Sequence, residues 1–121
     1  MSVIETFSRG VEDRMKKDGW VEVIVPILMP FFMSMIEQCL NNRQALADYA
    51  KGTRNRRQAI QLRLAARSTV SEAGVRGPIR IGRATSALVD AIHAELDVVS
   101  GMDGSGTDIY QDAIDEAFSY E

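Results

Sequence analysis

The sequence predicts an all-α fold, a small four- or five-helix bundle with a basic loop containing glycine and proline. Three observations predict it. Apolar residues recur at three- and four-residue spacing in several segments, the period of a helix with one buried face. The one stretch of strand-like composition, Trp20 to Val25, has no second strand to pair with, and a short lone strand is not stable. Cap and stop residues bracket the periodic segments.

The first helix is expected from about Ser2 to Asp18. Ser2 and Glu5 have the spacing of a capping box. Ile4, Phe7, Val11 and Met15 fall on one face, and Gly19 is a natural stop. A second helix is expected from about Trp20 to Leu40, kinked or restarted near Pro26 and Pro30. It is apolar on nearly all sides, so it needs cover from the bundle or from another subunit. Phe31, Phe32, Met35 and Ile36 are its candidate oligomer-interface residues.

A third helix is expected from Asn42 to Ser71, with a possible split at Gly52-Thr53 and a buried stripe of Tyr49, Ile60 and Leu64. Gly74 to Arg83 has three glycines and a proline and reads as a loop, with room for a short extended piece over Ile79 to Ile81. Leu88, Val89, Ile92, Leu96 and Val99 mark a fourth helix over about Ala84 to Val99. Residues 1–100 thus form the helical domain, 101–107 a flexible linker, and 108–121 an acidic amphipathic helix. Asp108 and Gln111 cap that last helix, and Ile109, Tyr110, Ile114 and Phe118 anchor it as a docking segment.

Composition narrows the class. The chain has 121 residues, 45% apolar and 26% charged, which suits one globular domain and excludes global disorder. Cys39 is the single cysteine, so no internal disulfide can form and a reducing, cytoplasmic location is expected. The N-terminus lacks a basic start and Glu5 interrupts its apolar residues, so it does not read as a signal peptide. Val23 to Ile36 is uncharged over 14 residues, short of the roughly 20 that span a bilayer. Lys16, Lys17 and Trp20 beside it have the look of an interfacial anchor, but length favours a core helix.

Charge is the strongest signal. Residues 1–42 have net charge −2, residues 43–83 have +8, and residues 84–121 have −9 with no Lys or Arg. Arg56, Arg63 and Arg67 fall on one face of the third helix at 100° per residue. Together with Arg76, Arg80 and Arg83 they form a candidate face for ion pairing or for nucleic acid. Asp112, Asp115 and Glu116 are the favoured partners of the first three, in the same chain or a neighbouring subunit. A phosphate backbone is the alternative.

No constellation reaches recognisable chemistry. Asp90 and His93 have an acid-x-x-His spacing, but a di-metal bundle needs that motif twice with two further acids. Cys39 and His93 are the only residues of their types, and nothing local supports a nucleophile pair. Counted from Asp103, a calcium loop would need glycine at Asp108 and glutamate at Ile114. Gly74 to Arg83 lacks a P-loop pattern, and Pro78 and Gly82 would interrupt a recognition helix there. The expectation is therefore no catalytic residue, no metal and no cofactor. The chain reads as a non-enzymatic, homo-oligomeric structural or adaptor protein acting through helix–helix contacts, with another protein as a possible partner of the C-terminal helix and no membrane favoured. The alternative is a nucleic-acid-associated protein using Arg54 to Arg83.

Overall fold

A computed structural model describes residues 3–23, 56–100 and Tyr110. These residues form three helices and no strand: α1 over Val3–Lys17, α2 over Arg56–Glu72 and α3 over Pro78–Ser100. The chain is all-α over this extent. Among the described residues, no helix is long and apolar enough to cross a membrane.

α1 forms where the spacing predicts it. Phe7, Val11 and Met15 are fully buried and Ile4 packs beside them. Glu12 and Lys16 pair at 3.2 Å one turn apart on the outer face, worth about 0.3–0.5 kcal/mol. Gly19 ends the helix at φ 89°. Its amide donates to the Lys16 carbonyl and the Trp20 amide donates to the Met15 carbonyl, the two bonds of a Schellman motif.

α2 ends in the same way. Gly74 has φ 97°, its amide donates to Ser71, and the Val75 amide donates to Val70. Val70 and Val75, the apolar pair that accompanies such a cap, are both buried.

Both flanking helices pack on α3. Arg63 meets Ser86 and the turn between the two helices is short, so α2 and α3 are an antiparallel hairpin. Arg14 meets Glu95 while Glu22, just beyond α1, meets Arg80, so α1 also runs antiparallel to α3. The core lies along α3, where Ala84, Leu88, Ala91, Ile92, Leu96 and Val99 are buried against Phe7, Val11 and Met15 of α1 and Leu62, Ala66 and Val70 of α2. Two buried hydroxyls are satisfied within their own helices: Thr69 donates to the Ala65 carbonyl and Thr85 to the Ile81 carbonyl.

Three expectations are corrected. First, the loop expected from Gly74 to Arg83 ends at Gly77, and α3 begins at Pro78, six residues before Ala84. Gly77 has φ 90° and its carbonyl accepts from the Ile81 amide. Proline then occupies the first helical position, where its missing amide costs nothing. The extended piece at Ile79 to Ile81 is helical. Second, residues 18–23 are turn or irregular, so no helix starts at Trp20. The Schellman turn consumes those residues, and the rest of the range to Leu40 lies outside the described residues.

Third, Ile60 and Leu64 are not on the buried stripe of α2. They are 50% and 62% exposed. The helix buries Leu62, Ala66, Thr69 and Val70 instead, a face of mostly small side chains that lets α2 approach α3 closely. Tyr49, the third member of the expected stripe, lies outside the described residues.

Candidate functional site: a buried polar latch and an arginine-bordered helix face

Glu95 stands in the middle of the apolar face of α3. At 100° per residue it falls between Leu88 and Ala91. It is 6% exposed, and a carboxylate so buried needs partners. It has two: the Arg14 Nε donates to Oε2 at 3.0 Å, and the Tyr110 hydroxyl donates to Oε1. Space for the carboxylate comes from Gly10. A Cβ there would stand 2.7 Å from Glu95 Oε2 and nearer still to Oε1 and Cδ, closer than unbonded atoms of these types approach. Gly10 therefore has a packing reason for its place inside a helix.

Tyr110 is 2% exposed and meets α3 through Glu95. Burial, then the hydrogen bond and negative charge of Glu95, push its hydroxyl well above the usual tyrosine value, against a smaller opposing effect of Arg14. The phenol is held protonated as a donor, so the arrangement fastens and does not shuttle protons near neutral pH.

The six arginines expected on one charged face are all exposed. Arg56, Arg63 and Arg67 do share a side of α2. Arg63 makes a long 3.4 Å contact with Ser86 Oγ. Among the described residues no carboxylate pairs with any of the three. They border the exposed ridge of Ile60 and Leu64, which points away from Leu62 and Ala66. Arg76 lies in the turn before α3, and Arg80 and Arg83 lie on its first turns.

Arg80 is already engaged, paired with Glu22 and 5.8 Å from the centre of the Trp20 ring, within range of a cation–π contact. Trp20, Pro78, Ile79, Arg80 and Arg83 line an open recess of about 520 Å³ at this end of the molecule. Ile79 is 74% exposed and neighbouring Val21 68%.

Asp90 is exposed and His93 half-buried. The His93 Nε2 has no hydrogen-bond partner among the described residues. Among those residues no three His, Cys, Asp or Glu side chains gather to hold a metal. Phe31, Phe32, Met35 and Ile36 of the expected oligomer interface lie outside the described residues, as do Cys39, Ile109, Ile114, Phe118, Asp112, Asp115 and Glu116. Gly10, Arg14 and Glu95 were not expected as a site. The signals were a glycine inside an amphipathic helix and a carboxylate inside an apolar stripe. No protein-family model matches the chain, and neither does any curated protein or solved structure.

Proposed function

We propose that the protein is a non-enzymatic, homo-oligomeric structural or adaptor protein that works through helix–helix contacts, built as a four- or five-helix bundle and located in the cytoplasm. The observation that carries this reading is the ridge of Ile60 and Leu64 on α2, two large aliphatic side chains one turn apart on the outward face. Scattered exposed aliphatics need no explanation. Two in register, bordered by arginines, have the make-up of an interface, where arginine is enriched and a partner covers the apolar centre. The uncharged run Val23 to Ile36 adds apolar surface in the same small chain. The acidic segment 108–121, of which Tyr110 is buried against Glu95, is the second contact element of this reading.

Sedimentation equilibrium across a wide concentration range tests it. An oligomer is expected, and Phe32→Asp or Ile36→Asp should give monomers or aggregates. A wild-type monomer at high concentration would end the reading. The second reading, nucleic-acid binding, is favoured by the exposure of all seven arginines from Arg56 to Arg83. It requires a complex whose affinity falls steeply with salt.

A further inference from the structure

We infer that the end of the molecule where α1 finishes and α3 begins, with Val21 and Ile79 exposed beside Trp20, Arg76, Arg80 and Arg83, rests on an anionic lipid surface. The contact lies on the bilayer and needs no spanning helix. It goes beyond the assembly reading and does not depend on it.

The apolar part of the contact comes from two separate stretches of chain. Arg80 pairs with Glu22 and lies 5.8 Å from the centre of the Trp20 ring. Val21, between those two residues in sequence, therefore stands at the same end as Ile79. Among the described residues these are the two most exposed large apolar side chains. Trp20 is half-buried and lines the open recess together with Pro78, Ile79 and Arg83. A tryptophan beside exposed aliphatic residues suits the headgroup level of a bilayer. Their apolar area falls well short of the roughly 800 Å² per partner of a stable protein interface. Shallow insertion needs less, because attraction to anionic headgroups adds to it.

The charge supplies that attraction. From Ala73 to Val89 the chain carries Arg76, Arg80 and Arg83 and no acid. All three arginines are exposed, and among the described residues no carboxylate pairs with Arg76 or Arg83. Arginine stems can lie along apolar surface while their heads meet phosphates. The acids at this end are Asp18, Glu22 and Glu72. Arg80 takes Glu22, and Lys17, Arg76 and Arg83 outnumber the other two. The first acid of α3 is Asp90, eleven residues beyond Ile79. That is about 16 Å along the helix, twice the roughly 8 Å over which charge acts at physiological salt. α3 thus presents a basic end to the surface and holds Asp90 and Asp97 away from it.

Trp20 is the sole tryptophan, so its fluorescence reports on this end alone. The full chain is mixed with vesicles of phosphatidylcholine and phosphatidylglycerol in equal parts, and with vesicles of pure phosphatidylcholine. At physiological salt it should co-sediment with the mixed vesicles, and Trp20 emission should shift to the blue and be quenched by lipids brominated on their acyl chains. Pure phosphatidylcholine should bind at least about tenfold more weakly, since each arginine near an anionic surface is worth about fivefold. Ile79→Glu should weaken binding at least about tenfold, as one large aliphatic side chain is lost from the contact. Arg76→Glu with Arg83→Glu should do the same. All three positions are exposed, so helical circular dichroism should stay native. Ile60→Glu, on α2 and twelve residues before its end at Glu72, should bind nearly as wild type.

No binding to the mixed vesicles at physiological salt overturns the inference. So does equal binding to both kinds of vesicle, which removes the role of the arginines. Binding that leaves Trp20 emission unchanged, or that survives Ile79→Glu, assigns the lipid to another part of the chain and also overturns it. If a DNA duplex shifts Trp20 emission where vesicles do not, this end belongs to nucleic acid and the inference fails. A wild-type monomer ends the assembly reading and leaves this one standing.

Discussion

Replacing Gly10 with alanine should destabilise this protein, although the same change in an exposed helix interior stabilises by about 0.8–1.0 kcal/mol. The new Cβ would collide with the Glu95 carboxylate. That carboxylate ends a flexible side chain, but it is buried and pinned by Arg14 and Tyr110. Moving it forfeits the Tyr110 bond, and a hydrogen bond to a charged group is worth about 1.5–3 kcal/mol. The Arg14 pair adds less, because the Arg14 side chain is 41% exposed and solvent screens it. Set against the helix-propensity gain, the net expectation is a loss of about 1–3 kcal/mol.

The decisive comparison is made in a Glu95→Ala background. That change itself costs stability, but the collision is gone, and Gly10→Ala should then stabilise by up to about 1 kcal/mol. Urea denaturation followed by circular dichroism measures all four proteins of the cycle. Equal effects of Gly10→Ala in the two backgrounds, or a gain in stability with Glu95 present, would refute the latch.

Alkaline titration probes the other end of the same contact. The folded-state value of Tyr110 is raised above the unfolded value of about 10, so its contribution is fully present below pH 10 and is lost as pH climbs above it. Tyr110→Phe should remove that part of the alkaline loss, and in the wild type one of three tyrosines should resist ionisation by ultraviolet absorbance until the fold opens. Leu62→Ala should cost about 2–5 kcal/mol as a buried truncation, whereas Leu64→Ala, two residues on, should change monomer stability by no more than about 0.5 kcal/mol. Gly74→Ala should cost about 1–2 kcal/mol because its φ of 97° is left-handed backbone that a side chain resists; thermal melting reads the loss.

The parts legible in the sequence are those in which one local rule acts alone. α1 is such a case: its cap, stripe and stop agree, and Phe7, Val11 and Met15 are buried as the period requires. The start of α3 was illegible because Gly77, Pro78 and Gly82 read as loop punctuation. The packing of Ile81, Ala84 and Leu88 on neighbours outweighs the roughly 1 kcal/mol that a helical glycine costs. The face of α2 was misread for a related reason. Side-chain size selects Ile60 and Leu64 as core, but two helices in close approach prefer Ala66 and Thr69 between them, and the larger residues are left outside.

The latch was half legible. Gly10 and Glu95 each break a pattern in their own helix, but the two departures explain each other only once α1 lies against α3. The arginine cluster was legible as charge and as one helical side. Its outward direction was not, because that follows from which stripe of α2 is buried.

The two helices that flank α3 reach it by very different routes. The Arg63–Ser86 contact closes a sequence separation of 23 residues, and the Arg14–Glu95 contact one of 81. Closing the longer separation costs about 1 kcal/mol more in chain entropy, so the hairpin of α2 and α3 is the natural early unit and α1 a late arrival. Glu95 then keeps its water until α1 docks, and its charge is dehydrated only when Arg14 is there to meet it. Native-state hydrogen exchange should accordingly find the amides of α1 opening at lower free energy than those at the centre of α3, with the carboxylate rehydrated each time α1 departs.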